Sequence, residues 1–154
     1  MKIIAEVLLL LVAVLVISAQ SAKQIDVFGR LTCDDYLARM QYTFNTAKEN
    51  PTSLLVIIVY DGKVIEKYGR NGVARMVYPT RDSIEAKIRS IKTLMSLWKV
   101  QADRITIMNG GYREEPGVEI WSVAPGASAP LPTPTVDKMR FRKGKSSGFC
   151  TSCC

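Results

Sequence analysis

The chain has 154 residues, a net charge of +7 and no histidine. The lack of histidine excludes His-based catalytic triads and removes the commonest general base and metal ligand. The positive charge favours contact with anionic surfaces such as nucleic acid, acidic lipid or acidic polysaccharide.

An apolar run from Val7 to Ile17 follows Lys2, and small residues occupy positions 18–22. The run is shorter than the about 20 apolar residues that span a bilayer, and the small residues suit cleavage. We therefore predict a signal peptide over residues 1–22 and an exported protein, either periplasmic, in the cell envelope, or secreted. An uncleaved N-terminal anchor is the alternative. Export makes nucleic acid the least expected partner, and no transmembrane span is predicted in the mature chain.

The mature chain begins with a predicted strand, Gln24–Leu31, followed by a helix. Thr32 and the acidic pair Asp34-Asp35 suit a helix N-terminus, and Pro51 ends the helix. Apolar residues recur between them at three- and four-residue steps, which is typical of a helix with one buried face. These residues are Leu37, Met40, Phe44 and Ala47.

The segment Ser53–Tyr60 is an unbroken apolar run rich in β-branched residues. A strand without polar alternation is covered on both faces, so we predict the central strand of a sheet, sandwiched between two amphipathic helices. Asp61-Gly62 follows at once and is a strong hairpin-turn signal. The next segment, Lys63–Tyr68, is therefore expected to return as a short antiparallel strand. An open loop of about twenty residues is the alternative.

Thr80 and Asp82 open the second predicted helix, where Asp82 and Glu85 form a capping-box-like pair. The strand Ile105–Met108 follows this helix, and a strand-helix-strand unit predicts that it lies parallel to the central strand. Val118–Val123 alternates apolar and polar residues, which indicates a strand at or near the sheet edge. The core-facing positions of the helix are Ile84, Ile88, Ile91, Leu94, Met95 and Trp98.

These elements predict an α+β fold over residues 23–124. It is a two-layer sandwich with the order β-α-β-α-β-β, a mixed sheet and two helices. Four prolines without a periodic apolar pattern indicate an extended linker or strap over residues 125–136. Residues 137–154 form a basic tail that contains cysteines. Its cations alternate with Met139 and Phe141, and it is either an unstructured charge run or an element that rests on an anionic envelope surface.

The disulfide candidates are Cys33, Cys150, Cys153 and Cys154. In an oxidising compartment an even number of cysteines favours disulfides, with Cys33 joined to one tail cysteine and a second bridge within the tail. A bond between the adjacent Cys153 and Cys154 would be strained. Tail thiols that join two chains in a disulfide-linked oligomer are an alternative. A metal site would need a fourth ligand, so no metal or cofactor is predicted.

Four segments follow one another in the second half of the chain: the second helix, Arg104-Ile105-Thr106, Gly110-Gly111-Tyr112 and Val118-Glu119-Ile120. In this order they resemble the end of the OmpA-like, peptidoglycan-associated domain family. The chain is also similar, more closely, to a group of small exported bacterial proteins of uncharacterised role, which share the elements CDD…LARM, IIVYDG, RI…NGGYREE…VEIW and PTPTVD. The resemblance implies an OmpA C-terminal-like fold.

The resemblance also implies a ligand site. In the OmpA-like family, an Asp after the second strand and an Arg in the second helix hold the diaminopimelate part of peptidoglycan. Asp61 corresponds to the first residue, and Lys87, with Arg89 nearby, to the second. A lysine lacks the bidentate fork with which arginine holds a carboxylate.

Two functions follow from these observations. The first is a non-enzymatic envelope protein that binds peptidoglycan or another anionic envelope polymer through Asp61, Lys87 and Arg89. The alternative is a structural or interaction protein, whose Pro-rich linker and Cys tail join it to a partner chain. We expect no enzyme, because the carboxylate pairs Asp34-Asp35 and Glu114-Glu115 are better explained as a helix cap and a loop.

Overall fold

The computed structural model describes residues 21–68, 72–146 and 148–150, except the side chains of residues 66–68. Residues 1–20, which hold most of the predicted signal peptide, lie outside this range. The helices are α1 (Cys33–Glu49) and α2 (Ser83–Leu97), and a short 3₁₀ turn covers Ala102–Arg104. The strands are β1 (Lys23–Phe28), β2 (Leu54–Asp61), β3 (Val64–Tyr68), β4 (Val73–Val77), β5 (Ile105–Tyr112) and β6 (Gly117–Val123).

Four strands form a mixed sheet in the order β1-β6-β2-β5. Ile57 of β2 lies opposite Ile107 in the parallel strand β5 and opposite Ile120 in the antiparallel strand β6. The predicted α+β class, with two helices and a mixed sheet, is confirmed, and so is the central position of β2. Strand β6 pairs on both sides, with β1 and with β2, so it is an inner strand of the sheet.

Helix α1 begins and packs as its sequence predicts. The Thr32 hydroxyl accepts a hydrogen bond from the backbone N–H of Asp35 at 3.2 Å, which satisfies one of the unpaired donors of the first turn. The predicted apolar positions of α1 are all buried. Those of α2 are buried too, apart from Trp98, which follows the last helical turn and packs partly exposed against the core.

The two helices cover the same face of the sheet, so the expectation of one helix on each face of β2 is wrong. Leu55, Ile57 and Val59 share one buried cluster with the apolar residues of α1 and α2. The alternate residues Val56 and Ile58 belong to a second cluster, which contains no residue of either helix. Because successive strand residues point to opposite faces, the second cluster lies on the far side of the sheet.

The far side of the sheet is covered by the chain beyond β6, here called the strap (residues 127–136). Ala127 packs against the second cluster, and the backbone N–H of Thr133 donates to the Tyr60 hydroxyl at 3.1 Å. The N–H groups of Thr135 and Val136 both donate to the carbonyl oxygen of Tyr112 at 3.0 Å. An irregular segment therefore provides the cover that allows β2 to be apolar on both faces.

The predicted pairing of β3 with the central strand is wrong. β3 pairs antiparallel with β4, with Ile65 opposite Met76, and the two form a separate two-stranded sheet. Both neighbouring positions of β2 are filled by strands from later in the chain, so its hydrogen-bonding edges are already used. Ile65 and Met76 are largely exposed.

Candidate functional site

Asp61, the last residue of β2, lies at the bottom of a cleft and is only 3 % exposed. Its Oδ1 atom accepts hydrogen bonds from Lys87 Nζ at 2.7 Å and from the backbone N–H of Gly62 at 2.8 Å. Its Oδ2 atom is buried and has no hydrogen-bond partner within the described parts of the chain. A buried carboxylate oxygen without a donor is costly, so this atom could accept a bond from a ligand.

Lys87 comes from α2 and forms a buried ion pair with Asp61. The exposed fractions of the two side chains are 14 % for Lys87 and 4 % for Asp61. Lys87 lies on the side of α2 that also carries Ser83 and Ser90, because residues three and four apart share a helix face. The register of β2 and the phase of α2 thus bring together two residues that are far apart in sequence.

Arg89 lies elsewhere. It is exposed on another side of α2, and its charge contributes to lowering the pKa of Asp82. The structure therefore brings together Asp61 and Lys87 but does not place Arg89 with them.

The cleft encloses a cavity of about 330 Å³ between the start of α1, the end of β2 and the first turns of α2. The exposed residues Arg30 and Arg142 both line it, so two positive charges lie where the cleft opens to solvent. Other polar lining residues are Thr32, Tyr36, Asp61, Ser83 and Lys87.

Tyr36 is a part of this cleft that the sequence did not reveal. Its hydroxyl is buried and, like Asp61 Oδ2, has no hydrogen-bond partner in the described residues. Burial, with a smaller contribution from Cys150, raises the pKa of Tyr36 well above its usual range, so the hydroxyl stays protonated. The sequence did not distinguish Tyr36 as a cleft residue, because it lies next to the apolar stripe of α1 and could equally be a core residue.

The last described residues also line the cleft. We call Ser146 and Gly148–Cys150 the tail. The Phe149 ring stacks on the Tyr36 ring, with centroids 4.6 Å apart, and Lys87 Nζ lies 5.6 Å from the Phe149 centroid. No sequence pattern predicted this position, because a single aromatic residue in a polar segment has no periodicity to interpret.

The side chain of Asp82, the residue before α2, bonds to Thr80 and to the tail rather than to the first turn of the helix. Asp82 makes no side-chain cap to α2, so the predicted capping-box pair is wrong. Its carboxylate accepts a hydrogen bond from the Thr80 hydroxyl at 2.7 Å and longer ones from the backbone N–H of Ser146. The bond from Thr80, followed by that from Ser146, lowers the pKa of Asp82, although desolvation opposes them.

A second polar cluster lies on the far side of the sheet, beneath the strap. Arg113 forms an ion pair with Glu119 at 2.6 Å, and its guanidinium carbon lies 3.4 Å from the centre of the Tyr60 ring. It also donates to the carbonyl oxygen of Thr133 at 3.1 Å and to the Thr133 hydroxyl. This cluster holds the strap on the sheet. It also adjoins the cleft, because the backbone N–H of Arg113 donates to the carbonyl oxygen of Asp61 at 2.8 Å.

Of the four disulfide candidates, Cys33 and Cys150 lie within the described residues, and no disulfide bond joins them. Cys153 and Cys154 lie outside the described residues, so the predicted disulfides remain predictions. Within the described ranges, no group of three or more Cys, Asp or Glu residues is placed to hold a metal ion.

Comparisons of the chain with protein-family models, with curated proteins and with solved structures found no match. Neither helix in the described part of the chain is long and apolar enough to cross a membrane. The cleft combines a buried carboxylate, an ammonium group, a phenol and two exposed arginines.

Proposed function

We propose that this protein is a non-enzymatic exported envelope protein, which binds peptidoglycan or another anionic envelope polymer in the cleft at Asp61 and Lys87. The observation that carries the proposal is the buried Asp61 Oδ2 atom, which has no donor among the described residues although Asp61 lines a cavity. A ligand N–H group would satisfy it, and the energetic gain would favour ligands that carry such a donor.

The charges around Asp61 suggest what else the ligand carries. Lys87 Nζ already contacts Asp61, while Arg30 and Arg142 lie at the opening as exposed cations. A group with an amine for the carboxylate and an acidic part for the cations would suit this arrangement. The peptide stem of peptidoglycan has this character, and the net charge of +7 would attract an acidic polymer over a longer range.

The OmpA-like resemblance supports the same ligand class. The two positions that the resemblance implies for the ligand site, Asp61 and Lys87, are in direct contact. Apart from the added β3–β4 hairpin, the element order is the β-α-β-α-β-β order that the resemblance implies. An OmpA C-terminal-like fold is part of this proposal.

A sedimentation assay with purified peptidoglycan sacculi tests the proposal. The test variant is Asp61→Asn combined with Lys87→Met, which removes both charges together and leaves neither one unpaired. The matched control is Glu85→Gln combined with Lys92→Gln, two exposed residues of the same helix with the same change in charge. Wild type and control should sediment with sacculi, whereas the cleft variant should stay in the supernatant. Equal retention of all three proteins would overturn the assigned site.

Folding must be compared in the same samples. Circular dichroism and thermal unfolding show whether the cleft variant keeps the native fold, so that lost binding is not mistaken for lost structure. The assay should be repeated at increasing salt. Binding that depends only on net charge would weaken equally for the cleft variant and the control.

The alternative function is a structural protein joined to a partner chain through its Pro-rich linker and Cys tail. The strap bonds to the protein's own sheet through Thr133, Thr135 and Val136. Attachment to a partner chain would therefore use the cysteines of residues 137–154. Gel electrophoresis with and without reductant, on protein taken from its native compartment, distinguishes the structural role from the ligand-binding role. A disulfide-linked oligomer would favour the structural role.

A further inference from the structure

The tail occupies part of the cleft that the proposed function assigns to a ligand. Phe149 and Cys150 line the same cavity as Asp61 and Lys87. The Phe149 ring lies between Tyr36, with centroids 4.6 Å apart, and Lys87 Nζ, at 5.6 Å from its centroid. A ligand that approaches Lys87 from this side would meet Phe149.

The tail packs only partly buried against the core, through Phe149 and Cys150. Among the described residues, Phe149 N–H donates to Ser90 Oγ of α2 at 3.0 Å, and Ser146 N–H donates to the two carboxylate oxygens of Asp82, the residue before α2, at 3.3 and 3.4 Å. The last two distances exceed the usual range for N–H···O bonds. Ser146 and Gly148–Cys150 are all half-buried rather than buried.

Two glycines shape this end of the chain. Gly148 has φ +78°, and a Cβ atom there would lie 2.6 Å from the carbonyl oxygen of Ala86. Gly144 has φ +124°, which side-chain-bearing residues rarely adopt. A tail that reaches the helix through glycines can lie flat on it, and glycine also allows the backbone to rotate away.

The tail does not satisfy the polar groups that it covers. Phe149 presents an aromatic ring to the cleft, and Asp61 Oδ2 and the Tyr36 hydroxyl both remain without partners in the described residues. A ligand that brings a donor and an acceptor would gain hydrogen bonds that the tail cannot form.

From this mismatch we propose that the tail is a lid, which covers the Tyr36 and Lys87 side of the cleft in the absence of a ligand and is displaced when one binds. The identity of the ligand that the lid admits rests on the proposed function, but the opening of the lid does not. The lid adds a cost to binding, because only the open fraction of molecules can accept a ligand.

Native-state hydrogen exchange of the wild-type protein tests the opening directly. The Phe149 and Ser146 amides should exchange through a local opening, at rates that do not respond to low urea concentrations. The β2 amides should exchange only through larger, urea-sensitive unfolding. Equal protection and equal urea dependence for Phe149 and for Ile57 would overturn the lid, because the tail would then be part of the cooperative core.

Chemical labelling of Lys87 tests whether the opening exposes the cleft. Acetic anhydride should acetylate Lys87 slowly in the wild type and about two- to ten-fold faster in Phe149→Ala, which loses the aromatic stack. Lys92, exposed on α2, is the internal reference. The matched control is Phe141→Ala, which removes an aromatic residue whose ring contacts Tyr112 and Arg81 instead. Equal Lys87 rates in wild type and both variants would contradict the proposal.

A soluble muropeptide containing diaminopimelate separates failure of the lid from failure of the proposed function. Tighter binding to Phe149→Ala than to wild type and Phe141→Ala would support both. If no variant binds the muropeptide while exchange and labelling still show local opening, the lid stands and the proposed ligand is wrong. Equal binding by all three proteins would contradict the lid, because its removal should raise the open fraction.

Discussion

The two faces of β2 are equally apolar but are covered by different kinds of structure. Leu55, Ile57 and Val59 lie under two helices, whereas Val56 and Ile58 lie on the face that the strap covers. An ion pair that involves the ends of the central strands lies on each side: Lys87–Asp61 on the helix side and Arg113–Glu119 on the strap side. A continuous apolar run therefore indicates that both faces are buried, without indicating what buries them.

The largest expected difference between the faces concerns the ion pairs. Lys87→Met should lower the free energy of unfolding by about 3–5 kcal/mol, because it leaves the Asp61 carboxylate buried and unpaired. Arg113→Met should cost less, about 1–3 kcal/mol, because Arg113 and Glu119 are more exposed and the solvent screens the remaining charge. Urea unfolding of each variant measures both values.

The double variant Asp61→Asn, Lys87→Met should recover most of the loss caused by Lys87→Met, since no charge is then left unpaired. If Arg113→Met proved more damaging than Lys87→Met, the strap side would be the more rigid one, contrary to this account.

A smaller difference is expected between neighbouring core residues of β2. Ile57→Ala, on the helix side, should cost about 3–4 kcal/mol, and Ile58→Ala, on the strap side, about 2–3 kcal/mol. Both side chains are 0 % exposed, so burial alone predicts equal losses. We expect the irregular strap to settle into the cavity more easily than two packed helices. Equal losses in urea unfolding would show that the strap is packed as firmly as the helices.

The attachment of the strap can be weakened at Thr133. Its hydroxyl accepts a hydrogen bond from Arg113, so Thr133→Val should cost about 0.5–1.5 kcal/mol. The control is Thr93→Val, because the exposed Thr93 hydroxyl donates to the carbonyl oxygen of Arg89 within α2, away from the strap. Thermal unfolding of both variants measures the difference. A larger loss for Thr93→Val than for Thr133→Val would contradict a role for Thr133 in fixing the strap.

The smallest effect should appear as a pH dependence of the tail. The folded-state pKa of Asp82 is lowered, so its stabilising contribution is present above the unfolded pKa of about 3.9 and is lost as the pH falls through the folded value. Acidification should therefore increase the motion of Ser146, measured by ¹⁵N relaxation from about pH 5 down to about pH 2, a range that begins above the unfolded pKa and continues below it. In Asp82→Asn this dependence should disappear. An unchanged profile in that variant would mean that another group holds Ser146.

The sequence predicted the elements whose signals are local. The cap at Thr32, the stripes of both helices and the apolar run of β2 each depend on neighbouring residues, and each is confirmed. The parallel pairing of β2 with β5 also followed, because a helix between two strands restricts their direction.

The features that the sequence did not predict depend on which distant segments meet. A turn signal at Asp61-Gly62 shows where the chain can bend, but β2 pairs with β5 and β6, so β3 pairs with β4 instead. The spacing of Asp82 and Glu85 predicted a helix cap, but the Asp82 carboxylate instead accepts hydrogen bonds from Thr80 and Ser146. In the cleft, Asp61 and Lys87 came from a family resemblance, while Tyr36 and Phe149 had no distinguishing pattern of their own.

The strap comes after every strand of the sheet along the chain, which has a consequence for the order of folding. Its bonds to Tyr60, Tyr112 and Arg113 depend on segments that come together in the assembled sheet. Until those bonds form, Val56, Ile58 and Tyr60 have no cover from the strap, although each is 0 % exposed in the finished fold. A state with the sheet assembled and the strap undocked would expose an apolar face, and in that state a chaperone would protect the protein most from aggregation.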